Sequence, residues 1–181
     1  MNLKWVMFIV PVIAVLLIIV LYFILLKREP DKIVFKKFVL NTGIVSFILN
    51  FAWELIQMPL YKNKVYDVQH IYFCALATVA DTIMVLLIYF SFALIYKNAF
   101  WIKNINIQKA LLLMLTGGVG AILAEMKHLA EGNWAYIPSM PVLPFVNAGL
   151  SPVLQFMLLP LLIYYVSFLF LSRVKKSRLD F

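Results

Sequence analysis

The chain has 181 residues, of which 65% are hydrophobic, 15% aromatic and only 13% charged, against about 45–50% apolar and about 25% charged in a soluble domain. Its net charge is +8, yet the charges sit in the breaks between long apolar runs. Composition therefore argues against a soluble core, a disordered chain and a nucleic-acid binder, and for an integral membrane protein. The single cysteine, Cys74, lies inside an apolar run, so no intramolecular disulfide exists.

Five segments approach or exceed the roughly 20 residues that cross about 30 Å of hydrocarbon as helix. They fall near residues 5–26, 38–61, 68–96, 109–131 and 149–172. The fold class expected is all-α: five transmembrane helices in one polytopic domain spanning 1–181, with segments two to five as a four-helix bundle and the first as an N-terminal anchor. That first segment, Trp5 to Leu26, carries no charge and is followed directly by Lys27 and Arg28, a signal-anchor pattern without a clear cleavage site.

Lys and Arg are unevenly divided. Five lie in 27–37, three around 97–109 and four in the tail (Arg173, Lys175, Lys176, Arg178), against Lys4, Lys62, Lys64 and Lys127 on the opposite side. Twelve against four predicts an outside N-terminus and a cytoplasmic C-terminus, in a bacterial cytoplasmic (inner) membrane. Trp5, Tyr22, Tyr61, Tyr66, Tyr72, Tyr96, Phe100 and Trp101 fall near segment ends, as interfacial anchors do. No internal repeat is visible, and the loops are too short to hide a soluble domain.

Three acids sit within apolar segments: Glu54, Asp81 and Glu125. A carboxylate in hydrocarbon costs at least about 2.5–3.5 kcal/mol, which makes each a candidate catalytic group. In the second segment Asn50, Glu54, Gln57 and Tyr61 share one helical stripe. His70, Cys74, Thr78 and Asp81 do so in the third, Ala121, Glu125, His128 and Gly132 in the fourth, and Ser151 and Gln155 in the fifth. Four polar stripes that cannot face lipid predict one shared, outward-facing cavity in the outer half of the bilayer. Its substrate-binding candidates are Asn50, Trp53, Gln57, His70, Trp134, Tyr136 and Gln155. Pro138, Pro141 and Pro144 forbid a regular helix in 133–144, so this segment is expected to form an apolar lid, with Trp134 and Tyr136 as caps. Gly117, Gly118, Gly120, Ala121 and Ala124 allow close helix packing, while Pro59 and Pro160 are expected to free a carbonyl toward the cavity.

The strings WELIQMPLY at 53–61, NWAYIPSMPVLP at 133–144 and GLSPVLQ at 149–155, with His70, Asp81 and Glu125, resemble a group of small uncharacterised bacterial integral membrane proteins. That resemblance covers segments two to five and implies a membrane bundle without a named chemistry. Glu54, Gln57 and Pro59 resemble the E-x-x-Q-x-P string of EXPERA-domain proteins, which include sterol isomerases and sigma-2-like receptors. This second resemblance spans one helix and implies a role only for Glu54, as an acid facing a carbocation-like lipid intermediate.

Three functions compete at this level. One is acid/base chemistry on an isoprenoid or other lipid, with Glu54, Asp81 and Glu125 as proton donors and acceptors and Trp53 or Trp134 shielding a cation by its ring face. A second is a non-enzymatic assembly factor, receptor or complex subunit, whose partners would be a membrane protein or a second copy of the chain. The third is a metal site at Glu125 and His128, or a haem between His70 and His128, the identity of any cofactor being unknown.

Overall fold

The computed structural model describes the backbone of residues 6–177 and the side chains of residues 12–171. Trp5, Lys4 and Arg178, together with the side chains of Arg173, Lys175 and Lys176, lie outside the described residues. Five α-helices follow in order: α1 (Val6–Arg28), α2 (Lys32–Gln57), α3 (Val68–Ile95), α4 (Ile107–Ala130) and α5 (Leu150–Ser177). Spans of four of these, Lys32–Leu60, Val68–Ile95, Ile107–Ala130 and Leu150–Leu171, are long and apolar enough to cross a membrane. Among the described residues there is no strand, only isolated bridges.

Caps set the helix starts. The Asp31 side chain accepts from Val34 N at 3.0 Å, Asp67 from His70 N at 2.8 Å and Asn106 from Lys109 N at 2.9 Å, each satisfying an amide the first turn leaves free. The Asp31 cap moves the start of the second helix six residues upstream of the expected Phe38, so the basic 27–37 stretch is mostly helix and only residues 29–31 form the turn. At its other end Pro59 stops α2 at Gln57, followed by a single 3-10 turn, Met58–Leu60. Tyr61 is then extended backbone rather than a fourth member of the α2 stripe. The fifth helix runs to Ser177, beyond the expected 172.

α2 is central, packing on α3 and α5; α4 packs on α5, and α1 lies along α3. At the end where α2 begins, the core is aromatic. Phe35, Phe38, Tyr89, Phe90, Trp101 and Tyr164 are all fully buried and joined by ring contacts at 5.1–6.5 Å. Trp101 is therefore a core residue rather than the expected interfacial anchor: the 3-10 turn Trp101–Asn104 folds it under the α3 end, where its indole N–H donates to Tyr89 O at 3.4 Å. Tyr66 and Tyr72, 64% and 72% exposed, keep the surface position an anchor needs.

Prolines shape the contacts between helices through the carbonyls they release. Pro160 has no N–H for Phe156 O, four residues back. That oxygen turns to α4, where a Cβ built on Gly117 would meet it at 1.9 Å. The expectation that Pro160 frees a carbonyl toward the cavity is thus corrected: the carbonyl serves the α4–α5 contact, and only glycine leaves room for it. Pro59 likewise leaves Leu55 O free, and the Tyr66 hydroxyl donates to it at 2.9 Å.

The helices are staggered at the end opposite the aromatic core. Asp81, thirteen residues into α3, meets Gln155, only five residues into α5. At 1.5 Å per residue, α5 therefore starts about 12 Å below the start of α3. The Gly117–Phe156 contact gives a similar offset of about 10 Å between the end of α4 and the start of α5. The ends of α2 and α5 are thus recessed between those of α3 and α4, and the connecting chain fills the recess.

Candidate functional site

The recess is floored by a hydrogen-bonded network drawn from three helices. Gln155 is its hub. Its amide N donates to Asn50 Oδ1 at 3.0 Å and to Asp81 Oδ2 at 3.2 Å, while its carbonyl accepts from Gln57 Nε2 at 3.2 Å. Gln57 Nε2 also donates to Glu54 Oε1 at 2.7 Å, and its carbonyl accepts from Ser151 Oγ at 2.8 Å. Ser151 in turn accepts from the Trp53 indole at 3.2 Å, and Asn50 donates to Ser46 O at 2.9 Å and Ser46 Oγ at 3.0 Å. Asn50, Gln57 and Gln155 are 1–3% exposed, and each polar atom so enclosed needs a partner. Asn50, Trp53, Glu54, Gln57, Asp81 and Gln155 are thus brought together.

Glu125 enters from α4 and is held from above. The Trp134 indole donates to its Oε2 at 3.2 Å and the Tyr136 hydroxyl to the same oxygen. The Tyr136 oxygen also accepts from Gly149 N at 2.9 Å, tying the acid to the start of α5. Glu125 lies within electrostatic range of Glu54 and Asp81, and no Lys or Arg bonds any of the three among the described residues. The nearest cation in sequence, Lys127, faces Glu131 at 4.0 Å.

The lid is chain paired with chain. Lys62 N donates to Ala135 O at 2.8 Å and Ile137 N to Leu60 O at 3.0 Å, an antiparallel bridge of Tyr61 with Tyr136. The Tyr61 ring stands edge-on to Trp134 at 6.2 Å and to Tyr136 at 5.4 Å. Phe145 and Asn147, with φ of 71° and 52°, turn the chain so that Leu143 N reaches Ala148 O at 2.8 Å. Met140, Ala148 and Gly149 are buried beneath. Burial, then the neighbouring acids Glu125 and Glu54, push the Tyr61 phenol above its ordinary range. Burial, then its bond to Glu125, does the same for Tyr136, so both are hydrogen-bond donors throughout the neutral range.

The remaining candidates lie apart from the network. His70 Nδ1 is 2.8 Å from Asp67 at the first turn of α3, beside a surface cavity of about 290 Å³ lined by Lys64, Gln69, Tyr72 and Phe73. The expected stripe from His70 to Asp81 therefore breaks at Cys74, because the Asp67 cap draws the imidazole to the helix end. The amide of Asp67's partner also holds the Asp67 carboxyl below the usual range: His70 N–H is its main donor. His128 stacks on Trp134 at 4.4 Å and pairs with Asn133 at 2.8 Å. Among the described residues no three His, Cys, Asp or Glu are grouped to hold a metal ion, so the Glu125 and His128 pairing does not extend to a ligand set.

Two further expectations change. Where the stripes meet, their side chains are bonded to one another, with Asn50, Gln57 and Gln155 joined through their amides and Ser151 through its hydroxyl. Depth is also graded: Asp81 is midway along α3, whereas Glu125 is five residues from the end of α4. Ser46 and Ser151, which fix Asn50 and Gln57, carry functions in the network that polarity alone had not singled out for Ser46. Its spacing of four residues from Asn50 is the signal that points to it.

No family model, no curated protein and no solved structure matches this chain.

Proposed function

We propose that the protein is a membrane-embedded acid–base site acting on an isoprenoid or other lipid. The observation that carries this reading is that Glu54, Asp81 and Glu125, from three helices, lie within electrostatic range of one another, with no Lys or Arg bonded to them among the described residues and with each carboxyl held by a fixed hydrogen-bond donor. Buried ions are ordinarily paired, and carboxyls held without a counter-ion are what proton transfer to carbon requires. A protonated carboxyl gives its proton to one carbon of a double bond, a cation forms at the other, and a carboxylate removes a proton from the next carbon beyond that cation. The double bond moves by one position, one proton having entered and one left, and the two acids exchange roles. Trp53 and Trp134 supply the ring faces beside a developing cation. The spacing of Glu54, Gln57 and Pro59, as in EXPERA-domain proteins, supports the choice of Glu54 as the first acid.

In this reading α1 is a fifth crossing, being 23 residues long, about 34 Å. The excess of Lys and Arg near the aromatic end supports a reading with that end in the cytoplasm of a bacterial inner membrane and the lid outside. The kinship with small bacterial membrane proteins belongs to the same proposal.

A second reading, a non-enzymatic assembly factor or receptor, is favoured by the saturation of the network: Gln57 and Gln155 spend their bonds holding α2, α3 and α5 together. Native mass spectrometry of protein purified in mild detergent separates the two. A co-purifying lipid present in the wild type and absent from Glu54→Gln, at equal helicity, supports the first. Apoprotein alone, or a partner polypeptide that survives the substitution, supports the second.

A further inference from the structure

The lid and the helix packing together specify how a substrate reaches the acids, an inference that rests on the acid–base reading. Access along the bundle axis is shut by the paired segments at Leu60–Lys62 and Ala135–Ile137 and by the rings of Tyr61, Trp134 and Tyr136. Access from the side is different. α3 packs on α1 and α2, α4 packs on α5, and α3 and α4 make no extended contact with one another. Asp81 on α3 and Glu125 on α4 stand on the two sides of this seam. Asp81 and Glu54 stay partly accessible while Asn50, Gln57 and Gln155 behind them are closed off. A carboxyl accessible at mid-helix in a membrane must meet water or a polar occupant rather than hydrocarbon.

The charge of the seam selects the occupant. Three acids with no Lys or Arg bonded to them among the described residues repel an anionic head group, so a phosphate-headed lipid is disfavoured. We propose that the substrate is a lipid with an uncharged polar head, such as an alcohol, which enters sideways from the bilayer between α3 and α4 and places that head, with the double bond next to it, beside Asp81 and Glu54.

Carbodiimides test this on the full chain in liposomes. The carboxyl O–H adds across the N=C=N group and rearranges to a stable N-acylurea, which peptide mass spectrometry locates. Lipid-soluble dicyclohexylcarbodiimide is expected to modify Asp81 or Glu54 at least tenfold faster than a water-soluble carbodiimide. Met84→Trp, one turn from Asp81 on the same face and 39% exposed in the wild type, slows that labelling at least fivefold with helicity unchanged. Farnesol protects against labelling and farnesyl phosphate does not. Equal labelling by both reagents, or labelling by neither, overturns the lateral route. Equal protection by the phosphate overturns the neutral head group. If labelling fails while Glu54→Gln still loses a co-purified lipid, the route is wrong and the acid–base reading stands. If labelling succeeds without protection and no lipid co-purifies, the route stands and the lipid chemistry falls.

Discussion

Around Trp101 the bundle is held by ring against ring, and around Gln155 by amide against amide, although the same helices α2, α3 and α5 pass through both regions. In the aromatic end Phe35, Phe38, Tyr89, Trp101 and Tyr164 fill space with large rigid surfaces, and the two phenols donate to single backbone carbonyls: Tyr164 to Val85 O at 2.6 Å and Tyr89 to Ala99 O. In the polar end small gaps in packing are bridged by side chains of fixed length, and each bond places a partner for the next. Ring packing tolerates a shift of a few tenths of an ångström; an amide shared by three partners does not. The difference teaches that one end supplies stability and the other geometry.

The largest expected effect is at the aromatic end. Trp101→Ala removes contacts with Tyr89, Phe92, Tyr96 and Tyr164 and is expected to cost about 3–5 kcal/mol. Thermal unfolding in detergent followed by circular dichroism measures this, while carbodiimide labelling of Asp81 in the folded fraction should not change. A loss of labelling with no loss of stability would break the division between the ends.

Gly117→Ala comes next. Its methyl would sit 1.9 Å from a backbone oxygen that cannot rotate away, which makes about 2–3 kcal/mol the expected cost. Pro160→Ala returns an N–H to Phe156 O and draws the carbonyl back into α5, so the double variant should cost less than the sum of the singles. Strict additivity would sink the coupling.

Gln155→Leu deletes three bonds, at about 0.6 kcal/mol for each in a membrane interior, so about 2 kcal/mol is expected. It should also abolish lipid co-purification, which Trp101→Ala at permissive temperature should leave in place. Tyr136→Phe is the smallest: one hydroxyl bonded to Glu125 and Gly149, about 1 kcal/mol. Because folding raises the Tyr136 phenol, its contribution is complete below the ordinary tyrosine value of about 10 and fades as pH climbs from there through the folded value. Ultraviolet absorbance at 295 nm should show the same rise near pH 10 in the folded wild type and in folded Tyr136→Phe, because Tyr136 does not ionise there. A normal titration of Tyr136 would mean the lid is open.

Much of the polar end was legible in the sequence. Asn50, Glu54 and Gln57 share a face because the 3.6-residue period is a local property, and an acid in an apolar run announces itself by its cost. His70 was misplaced by the same periodicity, since it says nothing of the competing Asp67 cap. Trp101 was misplaced because a loop aromatic next to a helix end reads alike whether the loop lies outward or folds inward.

The amino-acid sequence by itself determined the apolar helices, the proline-barred lid between α4 and α5 and the three acids within the apolar runs, because composition and period act over a few residues. Only the tertiary structure decided that α5 begins about 10–12 Å below the ends of α3 and α4, that Gln155 is the hub, and that α3 and α4 make no extended contact. Those are offsets between helices, set by distant contacts such as a proline-freed carbonyl meeting Gly117, and no local pattern encodes them.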